Sequence, residues 1–274
     1  MIEGPSGDKC CVRSCTSVAV GGQHSAVGGM IQQSLIPQEI SRVDPKLASA
    51  DSHGVGMSKS GQRYLLKTAL PWHPLLPATE WICHGLAHCM HLPVPAWEHC
   101  VMPDGRDAIG SRIEGYVLER EYYPSSRPST DNPHVVSGTY VLDLFVANSD
   151  RYYRQWLVTE AGGGKLLRPI DFSRAWFNCW PLPTPAFGSG RVMIPPDRDN
   201  SGPFYAEACA ANVVTSPEAV EAWEALQAMP KAAWRSIVES LPTGWVERQL
   251  SIDLINWWYS PQWRSRIKWI RTVL

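Results

Sequence analysis

The chain has 274 residues, 44% of them hydrophobic, and a formal net charge of −1. That length is enough to bury a sizeable core, either in one large domain or in two small lobes. A near-neutral chain carries no global field for nucleic acid or anionic lipid, so neither direct nucleic-acid binding nor membrane association is expected. No apolar run approaches the about 20 residues of a membrane span. The start MIEGPSGDK lacks the apolar core of a signal peptide, which makes the cytosol the expected compartment. The eight cysteines are then expected as thiols, and Cys10, Cys11 and Cys15 have no second pair at zinc-ribbon spacing.

Residues 1–35 are rich in small residues without a sustained period and read as a loose tail. Strands are expected at ISRV and RYLLKTAL, separated by a Gly/Ser loop, and a helix at ATEWICHGLAHCMHL that stops at Pro93. Short strands resume at AWEHCVM and SRIEGYVLE, joined by a turn at Pro103–Gly105. The polar stretch EYYPSSRPSTDNPH reads as a linker, and residues 135–147 as an apolar helix. Residues 178–215 carry six prolines and read as a long surface loop. About three helices follow, and seven of the thirteen Trp come after Ala222, which points to a tightly packed helical end.

The segment VANSDRYYRQWLVTEAGGGKLLRPIDFSRAW (146–176) carries the chemistry. WLVTE and KLLRPI flank Ala161-Gly162-Gly163-Gly164, a good turn for a β-hairpin. A turn centred on Gly163 sets Gln155 opposite Asp171 and brings the loop of Asp150 back beside them. Two acids and an amide then converge. Phosphoryl transfer uses such a set: one carboxylate takes the proton of the attacking hydroxyl, while a second carboxylate and an amide oxygen hold Mg²⁺ against the nucleotide phosphates. Protein kinases space base and amide as Asp-x-x-x-x-Asn. This chain has Asp150-Arg-Tyr-Tyr-Arg-Gln155, and Asp171-Phe172-Ser173 where a kinase has Asp-Phe-Gly.

Kinase chemistry also needs a lysine on the phosphates. In RYLLKTAL, period-two alternation puts Leu65, Lys67 and Ala69 on one face. A lysine on an apolar face needs a charged partner, and Glu80 in the next helix is the candidate. Upstream, HGVGMSKSGQ offers Gly54, Gly56 and Gly61 as a possible phosphate-approaching loop. Two other readings compete. His84, His88, His91 and Glu80 form one helical stripe that suits zinc, though no HExxH pattern is present. A pseudokinase is the other, because Gln155 is one methylene longer than the usual Asn.

On YLLKTA (64–69), the Glu80 helix ending in HLPVP, VLDLFVANSDR (141–151) and PIDFSRAW (169–176), the chain resembles the HipA-like serine/threonine kinases and, more distantly, the phosphatidylinositol kinases. The resemblance runs from about residue 40 to the C-terminus. It implies that Lys67 binds ATP phosphates with Glu80 as its partner, and that Asp150 is the base in a loop shaped by Asn148 and Arg151. It further implies that Asp171 chelates Mg²⁺, with Gln155 at the second ligand position, and that the backbone at Tyr116, Val117 and Leu118 faces adenine. Family members can autophosphorylate on a Ser of the Gly-rich loop, where this chain has Ser58 and Ser60. The expected fold is α+β and two-lobed: a small β-rich N-lobe with one helix over 36–120, and a mainly helical C-lobe over 121–274. The expected partners are ATP and a protein substrate.

Overall fold

Five short strands wind round a small apolar core. They are β1 (Gln38–Asp44), β2 (Gly54–Ser58), β3 (Arg63–Lys67), β4 (Trp97–Val101) and β5 (Asp107–Arg112), in the order β1-β2-β3-β5-β4. A parallel pairing of Gln38 with Cys100 and Glu39 with Val101 closes the ring. Alternation in RYLLK sends Tyr64 and Leu66 inward, where they meet Ile40, Cys100, Met102 and Ala108. This computed structural model describes residues 36–45, 51–113, 117–119, 121–161, 163–175 and 200–274, all within one compact unit, Ser34–Leu274. The expectations for the tail 1–35, for its three cysteines, for Tyr116 and for residues 176–199 fall outside the described residues.

Two strand expectations are corrected. GVGMS, read as part of a Gly/Ser loop, is β2. Its glycine is there for packing: a Cβ on Gly56 would lie 2.5 Å from Leu66 Cδ1 and 3.0 Å from Ile40 Cγ2, so the narrow ring closes only without one. SRIEGYVLE does not run as one strand. Its start belongs to β5, and its end is β6 (Val117–Glu119), which pairs with β7 (Trp156–Ala161) in a separate sheet of order β6-β7-β8, β8 being Gly164–Pro169.

Helix α1 (Leu76–Cys89) starts with Pro77 in its first turn and is buried from Leu76 to Ala87. It packs on β5, on α2 (Val135–Val146) and on α5 (Lys231–Glu239), where Gly85 lets Ile237 come close. Helix α2 ends on Ala147, which takes a left-handed conformation with φ +51°.

The expected loop over 178–215 is corrected in its second half, because Ser201–Ala210 is helix α3. Its Pro203 sits in the first turn, where the backbone N–H has no intrahelical partner to lose, so counting prolines misjudged the segment. Helices α4 (Ser216–Ala228), α5, α6 (Arg248–Trp257) and α7 (Pro261–Val273) complete the chain. The break between α6 and α7 comes at Pro261, with Tyr259 at φ +66° and the Ser260 hydroxyl accepting the Trp263 N–H. The tryptophans cluster as expected: Trp234 stacks on Trp258 at 4.9 Å, and both Trp257 and Trp258 pack against Phe145 of α2.

That packing sets the end of α2, and Arg266 of α7 completes it. Its buried guanidinium donates to the carbonyls of Phe145 (3.2 Å) and Leu144 in the last turn of that helix. Burial pushes this arginine down to about 9. Arg266→Ala should therefore remove a donor to two carbonyls and open a void, lowering stability by on the order of 3 kcal/mol in urea unfolding. Among the described residues, no helix is long and apolar enough to cross a membrane.

Candidate active site

β3 ends on Lys67, on the face opposite Tyr64 and Leu66, so its side chain enters the cleft between the barrel and the second sheet. The cleft holds about 960 Å³ of space, open solvent at its mouth included. Val55 and Leu65 line it from the barrel, and Leu157, Thr159 and Ile170 from the other side. Lys67 itself is only 5% exposed. Its Nζ donates to Glu80 Oε1 at 2.5 Å and to Asp171 Oδ1 at 2.6 Å. Glu80 is buried in α1, and the same oxygen also accepts the Phe172 N–H at 2.9 Å. One carboxylate on the helix thus fixes both the lysine and the backbone beside Asp171.

Burial alone would push the Lys67 ammonium down, but the carboxylates of Asp171 and Glu80 reverse that and hold it well above its ordinary value. Burial likewise works to raise the Asp171 carboxyl. Lys67 and the Ser173 N–H overcome this and hold it far below the usual carboxylate range. Asp171 has φ +62°, a strained conformation for a residue with a Cβ, which turns it out of the β8 ladder toward Lys67.

The loop after α2 supplies the second half of the site. Arg151 is fully buried and grips Asp143 of α2 with two bonds, Nε to Oδ2 at 2.8 Å and Nη2 to Oδ1 at 3.1 Å. Its Nη1 donates to the carbonyls of Gln155 and Ile170, and its guanidinium lies 4.9 Å from the Phe172 ring centre. Asn148 donates to Asp143 at 3.0 Å and accepts the Asp150 N–H at 3.3 Å. Asp150 is left facing outward from a rigid base. Its Oδ2 accepts from Gln155 Nε2 at 3.1 Å and its Oδ1 from Asn200 Nδ2 at 2.6 Å. Burial pushes the Asp150 carboxyl above its ordinary range; nearby Asp171 adds to this, while the Asn200 and Gln155 bonds oppose it.

The hairpin register differs from the expected one by one residue. Ala161 faces Gly164 and Trp156 faces Pro169, so Gln155 lies opposite Ile170, whose N–H reaches the Gln155 carbonyl at 3.0 Å. A three-glycine run accepts either turn centre, and alternation in the flanks selects between them only through burial. Gln155 is 3% exposed, and its Oε1 is buried with no hydrogen-bond partner.

The Gly/Ser stretch is elsewhere. Gly54 pairs with Leu66 and Met57 with Arg63, so β2 runs away from Lys67 and the turn bearing Ser58 and Ser60 lies at the far end of β3. Gly54, opposite Leu66, is thus at the Lys67 end, while Ser58 and Ser60 lie at the other. Gly56 packs on Leu66, and the Ser58 and Ser60 hydroxyls bond each other at 2.8 Å. Asp51, just before β2, reaches the Lys67 end, where its Oδ2 accepts the Ser173 hydroxyl at 3.0 Å. Val117 lines the cleft, and Leu118 lies in β6 beside it.

The histidine stripe does not assemble into a metal site. His84 is buried 3.6 Å from Glu80 with its ring against Trp97 and Phe172, His88 lies against Trp97, and His91 follows the helix at φ +57°. Among the described residues, no group of three or more His, Cys, Asp or Glu side chains is arranged to hold a metal.

No family model matches the sequence, and no curated protein sequence does. Solved structures do match. The chain is similar to the proinflammatory kinase CtkA of Helicobacter pylori at 10% identity, over 85% of this chain and 95% of that one, with a TM-score of 0.51. The fold is that of a kinase. A chain from the toxin–antitoxin complex of HipA, HipB and operator DNA of Shewanella oneidensis MR-1 also matches, at 12% identity over 77% of this chain and 60% of that one, with a TM-score of 0.46. The kinase fold expected from YLLKTA, VLDLFVANSDR and PIDFSRAW agrees with the fold of CtkA.

Within this kinase fold, three residues at the site had no assigned part in the sequence reading. Asp143 carried a signal, since an acid inside an apolar helix must find a buried partner. Asp51 and Asn200 carried none, because each reaches the site across long stretches of chain.

Proposed function

We propose that the chain is an ATP- and Mg²⁺-dependent kinase that transfers the γ-phosphoryl group to a Ser or Thr hydroxyl of a protein. Its N-terminal lobe spans residues 36–120 and its C-terminal lobe 121–274. The observation that carries this reading is the Gln155 amide. Its Nε2 holds Asp150, while its Oε1 is buried with no donor to satisfy it. A cation supplies what that oxygen lacks. Asp171 adds a carboxylate kept ionised by Lys67, so a hard oxygen donor set is present and fits Mg²⁺.

Lys67, fixed by Glu80, would take the α- and β-phosphates. Adenine would lie between Val55 and Leu65 of the barrel and Leu157 and Ile170 opposite, its edge toward Val117. Mg²⁺, when bound by Asp171 and Gln155, neutralises charge developing on the phosphates. Asp150 accepts the hydroxyl proton as the acceptor oxygen bonds to the γ-phosphorus and the bond to the ADP oxygen breaks. The pseudokinase alternative rested on the extra methylene of Gln155. The hydrogen bond from this amide to Asp150 holds it in the site, which favours catalysis.

Isothermal titration with ATP, with and without Mg²⁺, tests the reading. Wild type should bind Mg-ATP, and Gln155→Ala should lose at least about tenfold in the Mg²⁺-dependent part of the affinity. Failure of the wild type to bind the nucleotide would overturn the proposal.

A further inference from the structure

Asn200 stands at the N-cap of α3 but does not cap it. Asn is among the best capping residues because its side-chain oxygen accepts an N–H of the first turn. Here the side chain makes no capping bond and turns its Nδ2 onto Asp150 Oδ1 at 2.6 Å. A local preference set aside in this way marks a residue used for something else.

The backbone around it is clamped to the Asp150 loop. Asn200 N–H donates to the Ser149 carbonyl at 2.8 Å, and the Ser201 hydroxyl donates to the Asn148 carbonyl at 2.8 Å while accepting the Arg151 N–H at 2.7 Å. Asn200 and Ser201 together are therefore anchored to the residues on both sides of Asp150. Gln155 holds one carboxylate oxygen from the hairpin, and Asn200 holds the other from α3. Two amides on separate elements leave the carboxylate plane no free rotation.

We infer that Asn200 is a positioning residue for the Asp150 carboxylate, aiming it at the acceptor hydroxyl; the inference rests on the kinase reading above. Asn200 is exposed, so water can take over its bond if the amide is removed, and the loss on truncation is moderate. A carboxylate at position 200 is worse, because it sets like charge against Asp150.

Asn200→Asp separates this role from capping, since Asp caps a helix as well as Asn does. The measurements are kcat and KM for ATP in label transfer, alongside thermal unfolding. Asn200→Ala should lower kcat by about tenfold and Asn200→Asp by about 100-fold, with KM for ATP changed less than about twofold. The melting temperature of Asn200→Asp should fall much less than its kcat does, because position 200 is exposed. Wild-type kcat in Asn200→Asp, a gain in either variant, or a fall in melting temperature that parallels kcat would overturn the inference while leaving the kinase reading intact. Transfer that persists in Asp150→Ala would instead remove Asp150 as the base, and the role of Asn200 with it.

Discussion

Asp150→Asn is expected to lower kcat for phosphate transfer by about 10²–10⁴-fold, the usual contribution of a positioned base, with ATP affinity unchanged. The substitution keeps the side chain's size and its place on the loop held by Asn148 and Arg151. It removes the negative charge and forces an NH₂ against one of two donors, Gln155 Nε2 or Asn200 Nδ2. Asp150 makes no ion pair with Lys67, whose partners are Glu80 and Asp171, so the proposed nucleotide grip and the proposed proton acceptance are separable. Single-turnover transfer at saturating Mg-ATP is the decisive measurement. Equal label in Asp150→Asn and wild type would remove Asp150 from the reaction.

Lys67→Met should be the most destabilising single change at the site. It leaves Glu80 buried with no cation and Asp171 without its main counter-charge. Breaking a buried ion pair by removing one partner costs about 3–5 kcal/mol, because the remaining charge stays desolvated. ATP binding should be lost as well, and urea unfolding beside nucleotide titration would record both effects. The pH dependence has a definite sign. Asp171 is held below its unfolded value, so its contribution is present above roughly pH 4 and fades as pH falls through its depressed folded value. Lys67 is held above its unfolded value, so its contribution is complete below roughly pH 10 and is lost only as pH rises past its raised folded value. The gap in stability between wild type and Lys67→Met should therefore narrow in acid, where the stranded Asp171 gains a proton. A gap that stays constant from neutral pH to roughly pH 3 would mean that the triad is not an ionised one.

The amino-acid order determined the features that depend on neighbours in the chain. Alternation in RYLLK put Lys67 on the face away from Tyr64 and Leu66. Apolar periodicity marked α1 and α2. The spacing from Asp150 to Gln155 and the Asp-Phe-Ser at 171–173 marked the segments that meet at the site, because a hairpin of limited length brings its own ends together whatever surrounds it. The tertiary structure decided what local pattern leaves degenerate. Three consecutive glycines tolerate two turn centres, and only burial of Trp156, Val158 and Leu167 selected the register that puts Gln155 opposite Ile170. GVGMS has too few side chains to show a period, and it became a strand because the ring of Ile40 and Leu66 needed a residue without a Cβ beside them. The bonds of Asp143 to Arg151, of Asp51 to Ser173 and of Asn200 to Asp150 join segments 8, 122 and 50 residues apart. Such contacts form only once helices and strands have packed, since each buried polar group then takes the partner that the finished core puts within reach.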